Sequence, residues 1–158
     1  MECEEAYLNL VRTYKDIYMM NNEFMSEDDY SIEKLYHNIS YDVDLILNSL
    51  NITSNRCGYL YWKDAIFLFI LSNNTRVSIC NDIYPAIAKK YSKTPMSVER
   101  AMRICFENVM YYASKSENFV CEYLKNSLLY PHNSEILARL VDLVVSKSFQ
   151  ENKVKLVI

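Results

Sequence analysis

One glycine, Gly58, and three prolines, Pro85, Pro95 and Pro131, are all that 158 residues offer for punctuating the backbone. Tight β-hairpins draw on glycine for positive φ, so a chain this poor in it is expected to fold as helices joined by polar turns. The fold class expected is therefore all-α. Apolar residues make up 51% of the chain, enough for one core of ordinary domain size. The 14 Tyr suit half-buried surfaces that keep a hydroxyl wet.

Apolar spacing predicts helices along the whole chain. Residues 3–22 carry Tyr7, Leu8, Leu10, Val11, Tyr14, Ile17 and Tyr18 at helical intervals. Ser26 with Asp29 resembles a cap that opens a second helix to about His37, and Tyr41 to Leu50 is a third. Gly58 marks a position expected to need a backbone shape that other residues resist. Tyr61 to Leu71 reads as a strongly buried helix, and Tyr59, Tyr61 and Trp62 at its start read as core rather than as a stacking platform. Thr75 can cap a helix from Arg76 to Tyr84. Pro85 can begin a helix but not continue one, so a separate short helix is expected over Pro85 to Tyr91. After the turn at Ser92 and Lys93, Thr94 is a good N-cap and Pro95 a good first residue for a helix to about Ala113. Further helices are expected at Asn118–Leu128 and Ser134–Ser146, while the tail from Lys147 to Ile158 shows no clear preference.

The net charge of −3 hides a split. Residues 1–40 hold three Lys/Arg against nine Asp/Glu, whereas residues 41–158 hold fourteen against eleven. Between Ala86 and Arg103 stand Lys89, Lys90, Lys93, Arg100 and Arg103, with Glu99 the one acid. Such asymmetry suggests a localised anion-binding face. The first ten residues are acidic, unlike a secretory signal, and the longest apolar run, Ala65 to Leu71, is too short to cross a bilayer. No membrane association is expected, and the location expected is cytoplasmic. The five scattered Cys form no C-x-x-C pair and read as buried reduced thiols. His37 and His132 are isolated. With no nucleophile beside a base and no Gly-rich phosphate loop, no catalytic residue, metal or cofactor is expected, and an enzyme reading has no support.

Residues 85–113 have helix-turn-helix proportions: a short helix, a three-residue turn and a longer helix. Ile87, Ala88, Tyr91, Val98, Ala101, Met102 and Cys105 are the expected inner positions. Steps of three and four gather Ser97, Arg100, Arg103, Ile104 and Glu107 on the opposite face of the second helix. There a recognition helix meets base edges, and arginine pairs bidentately with guanine, worth about 1–3 kcal/mol of discrimination. Lys89, Lys90, Lys93 and Thr94, in the first helix and turn, suit phosphates. The same pattern also describes a merely solvated basic surface.

Four strings in order narrow the choice: GYLYWKDAI (Gly58 to Ile66), IYPAIAKKY (Ile83 to Tyr91), T-x-x-x-VERAMR (Thr94 to Arg103) and NSEILA (Asn133 to Ala138). Together they resemble the C-terminal DNA-binding domain of the stage zero sporulation protein A family, the master sporulation response regulators of spore-forming Firmicutes. The resemblance covers residues 41–146. It implies a bundle of about six helices around the helix-turn-helix, here preceded by one or two extra N-terminal helices in residues 1–40 and followed by a tail, 147–158. It further implies double-stranded DNA with a TGTCGAA-like core as ligand, often in tandem copies, and regulation of transcription through RNA polymerase. By position, Glu99, Arg100 and Arg103 match the family's reading residues. The chain departs from the family at Ser97, where a basic residue is usual, and at Ile104, where a histidine is usual. Ser97 can still bond a phosphate or base, whereas Ile104 offers only apolar contact, for instance to a thymine methyl.

The family's regulators also carry an N-terminal receiver, for which residues 1–40 are too short, so control without receiver phosphorylation is expected. Those acidic residues could pack over apolar surface, serve as a homodimer or heteromer interface, or lie against the basic face as a mask. Two functions are thus open: a sequence-specific transcription regulator, or a protein-interaction module or antagonist of a full-length sporulation regulator that has lost specific DNA reading.

Overall fold

A computed structural model describes residues 32–54, 56–71, 77–107, 109–127 and 132–157. The described residues form helices and no strand: α1 (Ile32–Ser49), α2 (Cys57–Leu71), a wide π turn (Ile79–Ile83), α3 (Tyr84–Tyr91), α4 (Pro95–Phe106), α5 (Val109–Lys115), α6 (Phe119–Ser127), α7 (Asn133–Val145), α8 (Lys147–Asn152) and a closing 3-10 turn (Lys153–Leu156). The all-α expectation holds. The helix expected at 3–22, the Ser26–Asp29 cap and the Thr75–Arg76 start lie outside the described residues.

The core is built around α2, which packs against α1, α3, α4 and α7. Tyr59, Tyr61, Trp62, Ala65, Ile66, Phe67 and Ile70 are all buried, so apolar residues occur nearly all round this helix, as they must when neighbours cover most of its surface. Gly58 in its first turn has an ordinary backbone conformation. What demands glycine there is close approach: a Cβ would lie 2.2 Å from Cys105 Sγ and 2.5 Å from the Ala101 carbonyl oxygen of α4. The expectation of an unusual backbone shape is thereby corrected.

Other boundaries also differ from the sequence reading. The helices expected to meet between His37 and Tyr41 are one, because Ile39, Val43, Ile46, Leu47 and Leu50 keep one buried stripe with nothing to interrupt it. Asn51, in the left-handed region with φ 61°, ends α1. Ile52 N–H then reaches the Leu47 carbonyl at 3.0 Å and Asn51 N–H that of Asn48 at 3.0 Å, the two bonds of a Schellman motif.

The short helix expected over Pro85 to Tyr91 is α3, with Pro85 in its first turn, but no break separates it from the turn that precedes it. The π turn, capped by Ser78 Oγ accepting from Asn81 N–H at 3.1 Å, runs straight into α3. Pro85 brings no N–H to the ladder. The turn before it is wide: the N–H groups of Ile83 and Tyr84 reach back five residues, to Ser78 and Ile79.

The tail is ordered through Leu156. Phe149 is fully buried, and Lys153 Nζ and Gln150 Nε2 both reach the buried Asp42 carboxylate, at 3.0 and 2.9 Å. Cys105 and Cys121 are buried, but Cys57 and Cys80 are exposed, which corrects the expectation of uniformly buried thiols. Burial raises the thiol pKa of both Cys105 and Cys121. No helix among the described residues is long and apolar enough to cross a membrane.

Candidate nucleic-acid interface

The helix-turn-helix is α3, the turn at Ser92 to Thr94, and α4. The turn is a second Schellman motif: Ser92 takes the left-handed conformation, φ 55°, while Lys93 N–H bonds the Ala88 carbonyl at 2.8 Å. Thr94 then opens α4 with a capping box. Its Oγ1 accepts from Ser97 N–H at 3.2 Å, and its own N–H donates to Ser97 Oγ at 3.2 Å. Pro95 occupies the first helical position, where a missing N–H costs nothing. The start of α4 thus lies where the sequence placed it.

Its end does not. The helix expected to reach Ala113 stops at Phe106, and α5 is a separate element. Cys105, Phe106, Val109 and Ala113 are all buried and keep helical spacing across the break, so periodicity carries no sign of it. The backbone does: Glu107 N–H bonds Ile104 at 3.3 Å, a tightening of the last turn to three-residue closure.

The inner face is as expected. Ile87, Ala88, Val98, Met102 and Cys105 are buried, and Tyr91 and Ala101 are half-buried against them. Two clamps fix α4 from outside the motif. Trp62 donates its indole N–H to the Met102 carbonyl at 2.9 Å and sets its ring 4.7 Å from that of Phe106. From another side, Asn133 donates its amide to the Tyr84 hydroxyl at 3.0 Å and the Glu99 carbonyl at 3.2 Å. Burial pushes the Tyr84 phenol pKa upward. Asn133 was legible only as part of a resemblance, and its tie to Glu99, 34 residues away, leaves no local pattern.

Outward, α4 presents Ser97, Arg100, Arg103 and Ile104 exposed, with Glu99 half-buried at the margin. The structure gives these side chains unequal freedom. Arg100 has no hydrogen bond or ion pair to any described residue. Arg103 Nε bonds Glu99 Oε1 at 3.1 Å, one turn back. Ser97 Oγ, besides its part in the capping box, donates to the Thr94 carbonyl at 2.8 Å.

Among the residues singled out for phosphates, Lys89, Lys93 and Thr94 are exposed around the turn. Lys90 differs: its Nζ sits 3.0 and 3.1 Å from the two oxygens of Asp64, a carboxylate on α2 that also accepts from the Tyr91 hydroxyl at 2.6 Å. Asp64 therefore ties α3 to α2, a role the sequence reading missed. Sequence reading also missed Met96, the second residue of α4, which is 83% exposed. Among the described residues no group of three or more His, Cys, Asp or Glu could hold a metal.

The surface so assembled is a capped helix, clamped from behind, whose outer face carries two guanidinium groups, with two exposed lysines at the turn before it. Such a surface can enter a major groove while the lysines meet the backbone phosphates. In comparisons with known proteins, the family model described as sporulation initiation factor Spo0A C terminal matches residues 43–144. No solved structure matches the chain.

Proposed function

Since the chain belongs to the family of sporulation initiation factor Spo0A C-terminal domains, helical DNA-binding domains of sporulation regulators, we propose that it regulates transcription by reading double-stranded DNA through α4. The family is one of DNA-binding domains and not a known family of enzymes. The observation that supports sequence-specific reading is Arg100: an exposed guanidinium, without a partner among the described residues, midway along a helix whose backbone is held at Met102 and Glu99. A rigidly presented fork suits bidentate recognition of guanine. The site proposed has a TGTCGAA-like core, with Glu99, Arg103, Ser97 and Ile104 completing the reading face and Lys89, Lys93 and Thr94 on phosphates. Lys90 joins them to the extent that Asp64 releases it. Action in the cytoplasm through RNA polymerase belongs to the same proposal.

A second reading is favoured by a specific observation. Ser97 is engaged in its own cap, Arg103 in an ion pair and Ile104 is apolar, so a fold-retaining interaction module or antagonist of a full-length regulator would carry the same surface. Titration of the protein with an operator duplex and a scrambled duplex at moderate salt separates the two. Regulation by direct reading predicts at least about tenfold preference for the operator, the weight of one good bidentate contact. Equal affinities would leave the second reading.

A further inference from the structure

Met96 is the most exposed large apolar side chain among the described residues, at 83%. Steps of four and seven along α4 align it with Arg100 and Arg103, so it stands in the outward stripe and not at its rim. It is also in the first turn, and the N-terminal residues of a recognition helix are those that approach base edges. One turn beyond Arg100 comes Ile104, 40% exposed. Two apolar side chains thus bracket the Arg100 guanidinium, which has no partner among the described residues.

Single exposed apolar residues are common on soluble proteins and by themselves mean nothing. Position and chemistry distinguish this one. A thioether can neither neutralise a phosphate nor form the paired hydrogen bonds that identify a base. What it offers is flexible apolar contact, and the apolar group displayed in the major groove is the C5-methyl of thymine. We infer that Met96 is a base-reading residue that contacts a thymine methyl, beside the guanine read by Arg100. The inference rests on the proposed function, since it requires α4 to enter the major groove.

The test uses the full chain and the duplex it enriches most from a randomised pool. Each thymine of that duplex is replaced in turn by deoxyuridine, which removes the methyl and nothing else. For the wild-type protein, replacement at one thymine lowers affinity by about fourfold, the worth of one buried methyl group. Met96→Ala shows no loss at that position, and Met96→Leu restores it. Because Met96 touches little of the fold, matching circular dichroism and melting curves are expected for both variants. Met96→Ala retaining the same deoxyuridine loss would overturn the inference, as would a wild-type protein indifferent to every replacement. In either case preference for the enriched duplex over a scrambled one would leave the proposed function standing. No preference between those two duplexes would overturn both.

Discussion

Trp62 and Asn133 hold α4 by its backbone, each through a hydrogen bond to a carbonyl oxygen, at 2.9 and 3.2 Å. A ring that packs but cannot donate isolates the first of these. Trp62→Phe keeps an aromatic face beside Phe106 and removes the N–H, and is expected to cost about 1–2 kcal/mol in urea unfolding, a net hydrogen bond with some lost packing. Among the charged residues, Lys93 is exposed in the turn, and its ammonium group has no hydrogen-bond or ion-pair partner among the described residues. Lys93→Ala is expected to weaken binding to all duplexes alike and to reduce the slope of log affinity against log salt by about 1. A change in operator preference without a change in slope would place Lys93 on a base instead. At this scale the sequence reveals exposed cations well, because they lie on a helix face set by local spacing. It conceals partners that come from afar: nothing near Lys90 announces Asp64, 26 residues earlier, or near Glu99 announces Asn133.

The elements show the same division between local and distant causes. The start of α4 was legible because Thr94, Pro95 and the turn before them act within a few residues. Its end was not, because the apolar stripe continues past Glu107 into α5. The merging of two expected helices into α1 has a related origin: turn-like polar residues between His37 and Tyr41 yield to a continuous buried stripe. Two substitutions test the element-level account. Ser92 adopts a left-handed conformation that costs an L-residue about 1 kcal/mol, so Ser92→Gly is expected to raise stability by up to that amount with DNA affinity unchanged. Gly58→Ala introduces a Cβ against the Ala101 carbonyl, and overpacking of this kind costs about 1–3 kcal/mol even though alanine favours the helix. A melting temperature equal to that of the wild type would mean that α2 and α4 separate freely, contrary to the tight crossing described.

For the whole molecule, the single glycine turned out to mark the α2–α4 crossing, the contact that joins the core to the helix-turn-helix. Composition made the all-α class legible, local spacing and turn residues made the position of the helix-turn-helix legible, and the order of four motifs made the family legible. Neither could show that the tail closes onto α1 through Asp42, an arrangement set by residues more than a hundred positions apart. A global consequence concerns alkaline pH. Burial is the leading cause that raises the phenol pKa of Tyr59, Tyr61, Tyr84 and Tyr123, and it also raises the Cys105 and Cys121 thiols. Each group holds its proton more tightly folded than unfolded. Stability is therefore full below the unfolded values, near 9 for thiols and 10 for phenols, and falls as pH rises through the folded ones. Denaturant titrations from pH 7 to 11 are expected to show a flat region to about pH 8.5 and a decline above it.

The proposed function rests on α4 entering DNA, with Arg100, whose guanidinium has no partner among the described residues, as its proposed guanine-reading group. The most direct measurement is the ratio of affinities for operator and scrambled duplexes, taken at one salt concentration for the wild-type protein and for Arg100→Ala. The account predicts a ratio of at least about ten for the wild type that falls toward one in the variant, while binding to the scrambled duplex changes little. A ratio unaffected by Arg100→Ala, or a loss equal on both duplexes, would contradict it.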